Sequence, residues 1–162
     1  MAIKICGTGS YLPAHRVTND DLSKIMDTSD EWIRSRTGIE SRHLVTDETT
    51  TSMSVEAAKN AMEQANVSAE EIDLIIAATI SQDYVIPTLA CEVQRELGAK
   101  KAVAFDIGAA CSGFLFALNT AYSYLKSGQY QTALILGAET LSKMMDWEDR
   151  STCVLFGDGA GA

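Results

Sequence analysis

Basic residues are scarce: 13 Lys and Arg stand against 22 Asp and Glu, a net charge of −9. Such a chain suits no polyanion, so nucleic acid and an anionic membrane surface are set aside as main partners. Long apolar runs are lacking too. Nothing approaches the roughly 20 residues of a membrane-spanning helix. The opening Met-Ala-Ile-Lys-Ile-Cys-Gly reads as a strand rather than as a signal peptide. Cysteine is limited to Cys6, Cys91, Cys111 and Cys153, without metal-type spacing. In a chain of 162 residues these read as reduced thiols of a cytoplasmic protein. No carboxylate pair or histidine–carboxylate cluster suggests a metal centre or a hydrolase. The G-x-G-x-x-G dinucleotide fingerprint is missing as well. Gly157-Asp-Gly-Ala-Gly161 is spaced G-x-G-x-G, and its small residues, like Gly7 and Gly9, suit close backbone packing instead. No cofactor and no metal are expected.

What is present is globular: 46% hydrophobic and 22% charged residues, in a length that makes one domain with a sizeable core. A strand over 3–9 is followed by a short helix to 26, capped by Asn19 or Asp20. Ser29 can cap a helix over 30–37 that stops at Gly38. Residues 42–49 read as polar and irregular. A helix follows to 65, started by Thr51 or Ser52, then a capping box at Ser68 and Glu71. Residues 74–79 form an apolar run typical of a strand covered on both faces. Thr88 can cap a helix to 97, ended by Gly98. A strand over 102–107, a helix over 112–126 and a strand over 133–137 complete the alternation. The class is therefore α/β with a largely parallel sheet.

Cys111 lies where the strand ending at 107 turns into the next helix. A thiol there meets the positive end of the helix dipole, which favours the reactive thiolate. Strand–turn–helix placement is also the device of nucleophile elbows. A buried structural thiol is the competing reading. The helix after Cys111 carries Phe114, Leu115, Phe116, Ala117, Leu118, Ala121 and Tyr122, apolar on nearly every face. Such a helix needs cover all round. One sheet cannot supply that, so a second sheet or domain is expected on its far side. The glycine-rich end at 157–161 reads as the approach to another strand, and the chain as a piece of a longer protein.

The chain contains Gly7-Thr-Gly-Ser-Tyr-Leu-Pro13, Asp27-Thr-Ser-Asp-Glu-Trp-Ile33, Arg36-Thr-Gly-Ile39, Arg42-His43, Ala104-Phe-Asp-Ile-Gly-Ala-Ala-Cys-Ser-Gly-Phe114 and Phe156-Gly-Asp-Gly-Ala-Gly-Ala162. Together these motifs resemble β-ketoacyl-acyl carrier protein synthase III. The resemblance covers the whole chain. It implies a thiolase-like fold, αβαβα in the complete protein, of which residues 1–162 would be the first half. It implies a decarboxylating Claisen condensation that starts fatty acid synthesis. A short acyl group passes from coenzyme A to the cysteine matching Cys111 and is then attacked by the carbanion from malonyl-acyl carrier protein. Acyl-coenzyme A is thus a substrate, and a homodimer is implied. Relatives making polyketides, quinolones or hydroxymethylglutaryl-coenzyme A look alike around the nucleophile. A fragment inactive without its other half is a further alternative.

The resemblance assigns further residues. Trp32 would stack on the adenine of coenzyme A, with Arg150 on the other side of the base. Thr28, Arg36 and Thr37 would contact the nucleotide and its phosphates. Thr28, Trp32 and Arg36 would share a helix face if the helix ran through Ser29. A surface aromatic among ion pairs is the plainer reading of the same residues. Ile86 matches a residue that closes the partner's acyl pocket. The family's histidine and asparagine lie in the second half, and His15 and His43 read as loop residues. Acyl carrier protein is acidic, so its basic docking residues are expected mainly outside this segment rather than at Lys100 and Lys101.

Overall fold

Residues 3–162 are described by the computed structural model; Met1 and Ala2, at the head of the expected first strand, lie outside them. The elements run β1 (Ser10–Tyr11), β2 (Arg16–Thr18), α1 (Asn19–Leu22), α2 (Asp30–Thr37), β3 (Ser41–His43), α3 (Thr50–Ala65), β4 (Leu74–Ala78), α4 (Leu89–Leu97), β5 (Val103–Ile107), α5 (Gly113–Ser127), β6 (Ala133–Thr140) and β7 (Asp158–Gly161). Five strands make one sheet in the order β1-β7-β6-β4-β5. β4 lies parallel to β5 and β6, while β7 is antiparallel to both β6 and β1. Four of the five strands therefore share a direction, and β7 is the exception.

β4 explains the layering. All five of its residues are buried. Ile75 and Ala77 join Met53, Ala57, Leu89 and Val93 of α3 and α4. Leu74, Ile76 and Ala78 pack on Ala117 and Ala121 of α5. Alternate strand residues point to opposite faces, so α3 and α4 cover one side and α5 the other. β2 and β3 form a separate antiparallel ribbon with Val17 opposite Arg42. Its apolar base holds Val17, Leu22, Ile33, Cys153 and Val154.

Local capping signals place some ends and miss others. Ser29 caps α2 and Gly38 closes it at φ 75°. The Ser68 capping box also forms. The cap of α1 is Thr18, in a capping box with Asp21, and the helix stops at Leu22 rather than running to 26. Helix α3 starts at Thr50, one or two residues earlier than expected, capped by Thr49. The Asp83 carboxylate stabilises this start by accepting from the Thr50 and Thr51 amides at 3.1 and 2.7 Å. The stretch read as irregular from 42 onward opens inside strand β3, whose three residues are too few to show an alternation.

The strand expected over 3–9 forms later and shorter, as β1. Gly9 exchanges main-chain hydrogen bonds with Ala162 at 3.0 and 2.8 Å. Continuing that antiparallel register would match Thr8 and earlier residues to positions beyond Ala162. Among the described residues they join no strand, and Ile5 is 76% exposed. Their glycines have the packing role expected of them. A Cβ at Gly9 would sit 2.1 Å from the Ala57 carbonyl oxygen, and one at Gly7 2.3 Å from that of Ala61. The segment thus rests on the backbone of α3.

Helix α4 gets its cap from a distant strand. Thr88 occupies the N-cap position without a side-chain cap bond. Instead the Asp106 carboxylate accepts from the Leu89 and Ala90 amides, both at 2.8 Å. A carboxylate on the first free N–H groups of a helix satisfies them and complements the dipole. Asp106→Ala should cost about 2 kcal/mol by urea denaturation, through loss of two charge-assisted bonds. A change below about 0.5 kcal/mol would show that water replaces the carboxylate without loss.

Candidate functional site

The connections after β4 and β5 lead to helices on opposite faces of the sheet. A crevice opens at such a switch, outside the carboxyl ends of the strands, where α/β proteins bind ligands. Cys111 lies there. Ala109 has φ −144° and ψ 25°, and Ala110 follows at φ 44° in the left-handed region. An L-residue in that region is held at a cost of about 1–2 kcal/mol. Strain of this kind gathers at functional turns. A 3-10 turn over Ala110–Ser112 then enters α5. Gly113 sits tightly on the end of β4, where a Cβ would lie 3.1 Å from that of Ala78. The turn leaves Cys111 exposed just before α5, whereas Cys153 is fully buried. Burial pushes the Cys153 thiol above its ordinary pKa, so it is a poor nucleophile.

Helix α5 buries one face only. Gly113, Ala117 and Ala121 contact the sheet side. Phe114, Leu115, Phe116, Leu118 and Tyr122 remain 36–66% exposed. That apolar stripe continues directly from the cysteine turn.

A second constellation surrounds Trp32 on α2. The Arg36 guanidinium carbon lies 4.4 Å from the ring centroid and that of Arg150 5.1 Å. Arg150 is held by the Asp27 main-chain oxygen and, at 3.3 Å, by the Asp27 carboxylate. Thr28 is not on the helix. Ser29 is extended at φ −148° and breaks the expected common face. Thr28 Oγ1 is nevertheless buried without a hydrogen-bond partner, an open polar position beside the indole's helix. Thr37 is engaged locally: its hydroxyl donates to the Ile33 carbonyl at 2.7 Å and accepts from the Ile39 amide at 3.0 Å.

The loop from β4 to α4 exposes Tyr84, Val85 and Ile86 at 60, 83 and 85%. It stands immediately before the helix start that Asp106 caps. The histidines lie elsewhere. His43 is a strand residue of β3, not a loop residue, and its Nδ1 meets the Pro13 carbonyl at 2.5 Å. His15 lines a surface groove with Val17, Leu22, Ile25 and Trp147.

Some organising residues gave no local signal. Asp158 accepts from the Val45 and Ser142 amides at 2.8 and 2.9 Å and from the Ser142 hydroxyl at 2.5 Å. It ties the loop carrying Arg150 to the sheet. Arg42, noted only as part of a motif, proves to be buried.

Comparison with known proteins agrees over nearly the whole chain. The family model for 3-oxoacyl-[acyl-carrier-protein (ACP)] synthase III matches residues 105–162. A β-ketoacyl-[acyl-carrier-protein] synthase III of Clostridium acetobutylicum is 58% identical over 161 residues, 99% of this chain and 50% of that protein. The crystal structure of 3-oxoacyl-[acyl-carrier-protein] synthase III from Aquifex aeolicus superposes with a TM-score of 0.96 at 58% identity, covering 98% of this chain and 51% of the other. The priming β-ketosynthase of the R1128 polyketide biosynthetic pathway gives 0.95 at 40% identity, covering 98% and 48%. The expected thiolase-like α/β architecture is shared with these structures. The chain spans about half the length of the curated relatives it matches.

Proposed function

The chain belongs to the β-ketoacyl-[acyl-carrier-protein] synthase III family, and from that premise we propose that it is the nucleophile-bearing half of an enzyme that starts fatty acid synthesis. The observation that carries this reading is the exposed Cys111 on a left-handed turn at the start of α5. The Cys111 thiolate attacks the carbonyl carbon of a short acyl-coenzyme A. A new carbon–sulfur bond forms, the old thioester bond breaks, and coenzyme A leaves as a thiolate that takes up a proton. Malonyl-acyl carrier protein then loses carbon dioxide, and the carbanion attacks the acyl-cysteine carbonyl, forming a carbon–carbon bond, breaking the acyl carbon–sulfur bond and releasing the Cys111 thiolate. The Cys111 main-chain N–H, among the first of the helix, is the oxyanion donor. The histidine and asparagine that assist decarboxylation belong to the other half. Residues 1–162 alone are therefore inactive in condensation.

Coenzyme A binds at Trp32. The two guanidiniums over the indole support this, since a flat ring flanked by cations suits an adenine and its phosphates. An interleaved base needs a stacking distance on each of its faces, so Arg150 must swing outward from its 5.1 Å position. Thr28 Oγ1 supplies an unused polar contact; Arg36 contacts the phosphates, and Thr37 does so once its hydroxyl leaves the Ile33 carbonyl. The unpartnered stripe of α5 is covered by the second half.

Two copies form a homodimer in the cytoplasm. Support comes from β5, which ends the sheet with Val103 46% exposed, and from the bare Tyr84–Ile86 tip beside it. Ile86 then gates the acyl pocket of the partner. Acyl carrier protein docks mainly on the other half; Lys101 is already paired with Asp73 at 2.8 Å. A polyketide-type priming role is a second reading, favoured by the likeness to the R1128 ketosynthase.

The test is acylation of the complete protein by acetyl-coenzyme A alone. Mass spectrometry should find the acetyl group on the Cys111 peptide; a label elsewhere, or none, would sink the nucleophile assignment. Ile86→Phe should change the preferred acyl chain, and an unaltered preference would remove Ile86 from the gate.

A further inference from the structure

Arg42 is 5% exposed, yet among the described residues it forms no ion pair with a carboxylate. Its Nη1 donates to the Val17 carbonyl at 3.3 Å and its Nη2 to the Val154 carbonyl at 3.1 Å, while Nε has no partner. Burying a guanidinium without an anion is unfavourable. Val17 and Val154 belong to one buried cluster, and Trp32 packs against it. Val17 is in the ribbon that leads into α1 and α2. Val154 belongs to the 3-10 turn Cys153–Leu155, shortly after Arg150. The same strand is pressed on the return segment from below, since a Cβ at Gly157 would lie 3.0 Å from that of Arg42.

We propose that Arg42 is a positioning residue for the nucleotide clamp: its forked guanidinium ties the ribbon to the 153–155 turn and so sets the base from which Arg150 reaches Trp32. Arg42 itself touches no substrate. This rests on the reading of the Trp32 site as the coenzyme A site.

Lysine keeps the charge but not the fork, so Arg42→Lys cannot bridge both carbonyls in the same way. In the complete protein this variant should raise KM for acetyl-coenzyme A about fivefold and leave kcat within about twofold. Acetyl-N-acetylcysteamine, a thioester without a nucleotide, should react as before. In an Arg150→Ala background, Arg42→Lys should add nothing, because residues acting through one another are not additive. An unchanged KM, an equal loss with the truncated thioester, or a full additional loss beside Arg150→Ala would each overturn the proposal. Trp32→Ala separates the two levels. If it raises KM and Arg42→Lys does not, only the positioning role fails. If it leaves KM unchanged, the nucleotide site itself is wrong and the proposal falls with it. Should Arg42→Lys fail to fold, the unmutated protein decides. Adenosine 3′,5′-bisphosphate should then slow amide hydrogen exchange in α2, β3 and the 153–155 turn together. Protection confined to α2 would overturn the coupling.

Discussion

Cys111→Ser should lower acyl transfer about 10⁴-fold or more while leaving the fold intact. A loss of that size is about 5.5 kcal/mol of transition-state stabilisation. It follows from the nucleophile's chemistry. A thiol yields appreciable thiolate near neutral pH, whereas a hydroxyl needs an adjacent base. The described residues around the turn bring no histidine to that position: His43 lies on β3 and His15 in the loop before β2. Serine is nearly isosteric and Cys111 is exposed, so the melting temperature should stay within a few degrees. Single-turnover transfer from radiolabelled acetyl-coenzyme A measures the first quantity and calorimetry the second. Retained transfer in the serine variant would mean that another group carries the acyl chain.

Leu115→Asp should have opposite consequences in two settings. In the 162-residue chain Leu115 is 66% exposed, and the change should be nearly neutral for stability, with improved solubility. On the reading proposed above, the second half covers this face in the complete protein. There the variant should lose about 4 kcal/mol, from the missing apolar contact together with a desolvated carboxylate. Denaturant titrations of both forms test this. Equal small effects would show that the stripe on α5 stays open to water, and the packing of the two halves would need another surface.

Much of the architecture can be read from short-range signals. Ser29 and Gly38 bracket α2 because a hydroxyl cap and a left-handed glycine act within one turn. The unbroken apolar run of β4 announces a strand buried on both faces. The same locality explains the misses. The start of α3 depends partly on Asp83, 33 residues from Thr50. β6 runs three residues past its expected end because Ala138, Glu139 and Thr140 pair with Ala160, Gly159 and Asp158 of β7, roughly 20 positions further along the chain. β3 exists only through pairing with β2. Spacing puts Thr28 on one face with Trp32 and Arg36 only if the helix runs through Ser29, but the cap at Ser29 bends the chain between them.

By itself, the sequence determined the α/β alternation, the strand-to-helix turn that carries Cys111 and the apolar residues on nearly every face of α5. These rest on periodicity and on residue types adjacent in the chain. Only the tertiary structure decided that Asp106 caps α4, that Arg150 comes over Trp32 and that Arg42 joins the ribbon to a turn 112 positions away. No local pattern encodes such contacts. A charged side chain takes its buried partners from whatever backbone groups the packed sheet and ribbon bring within about 3 Å.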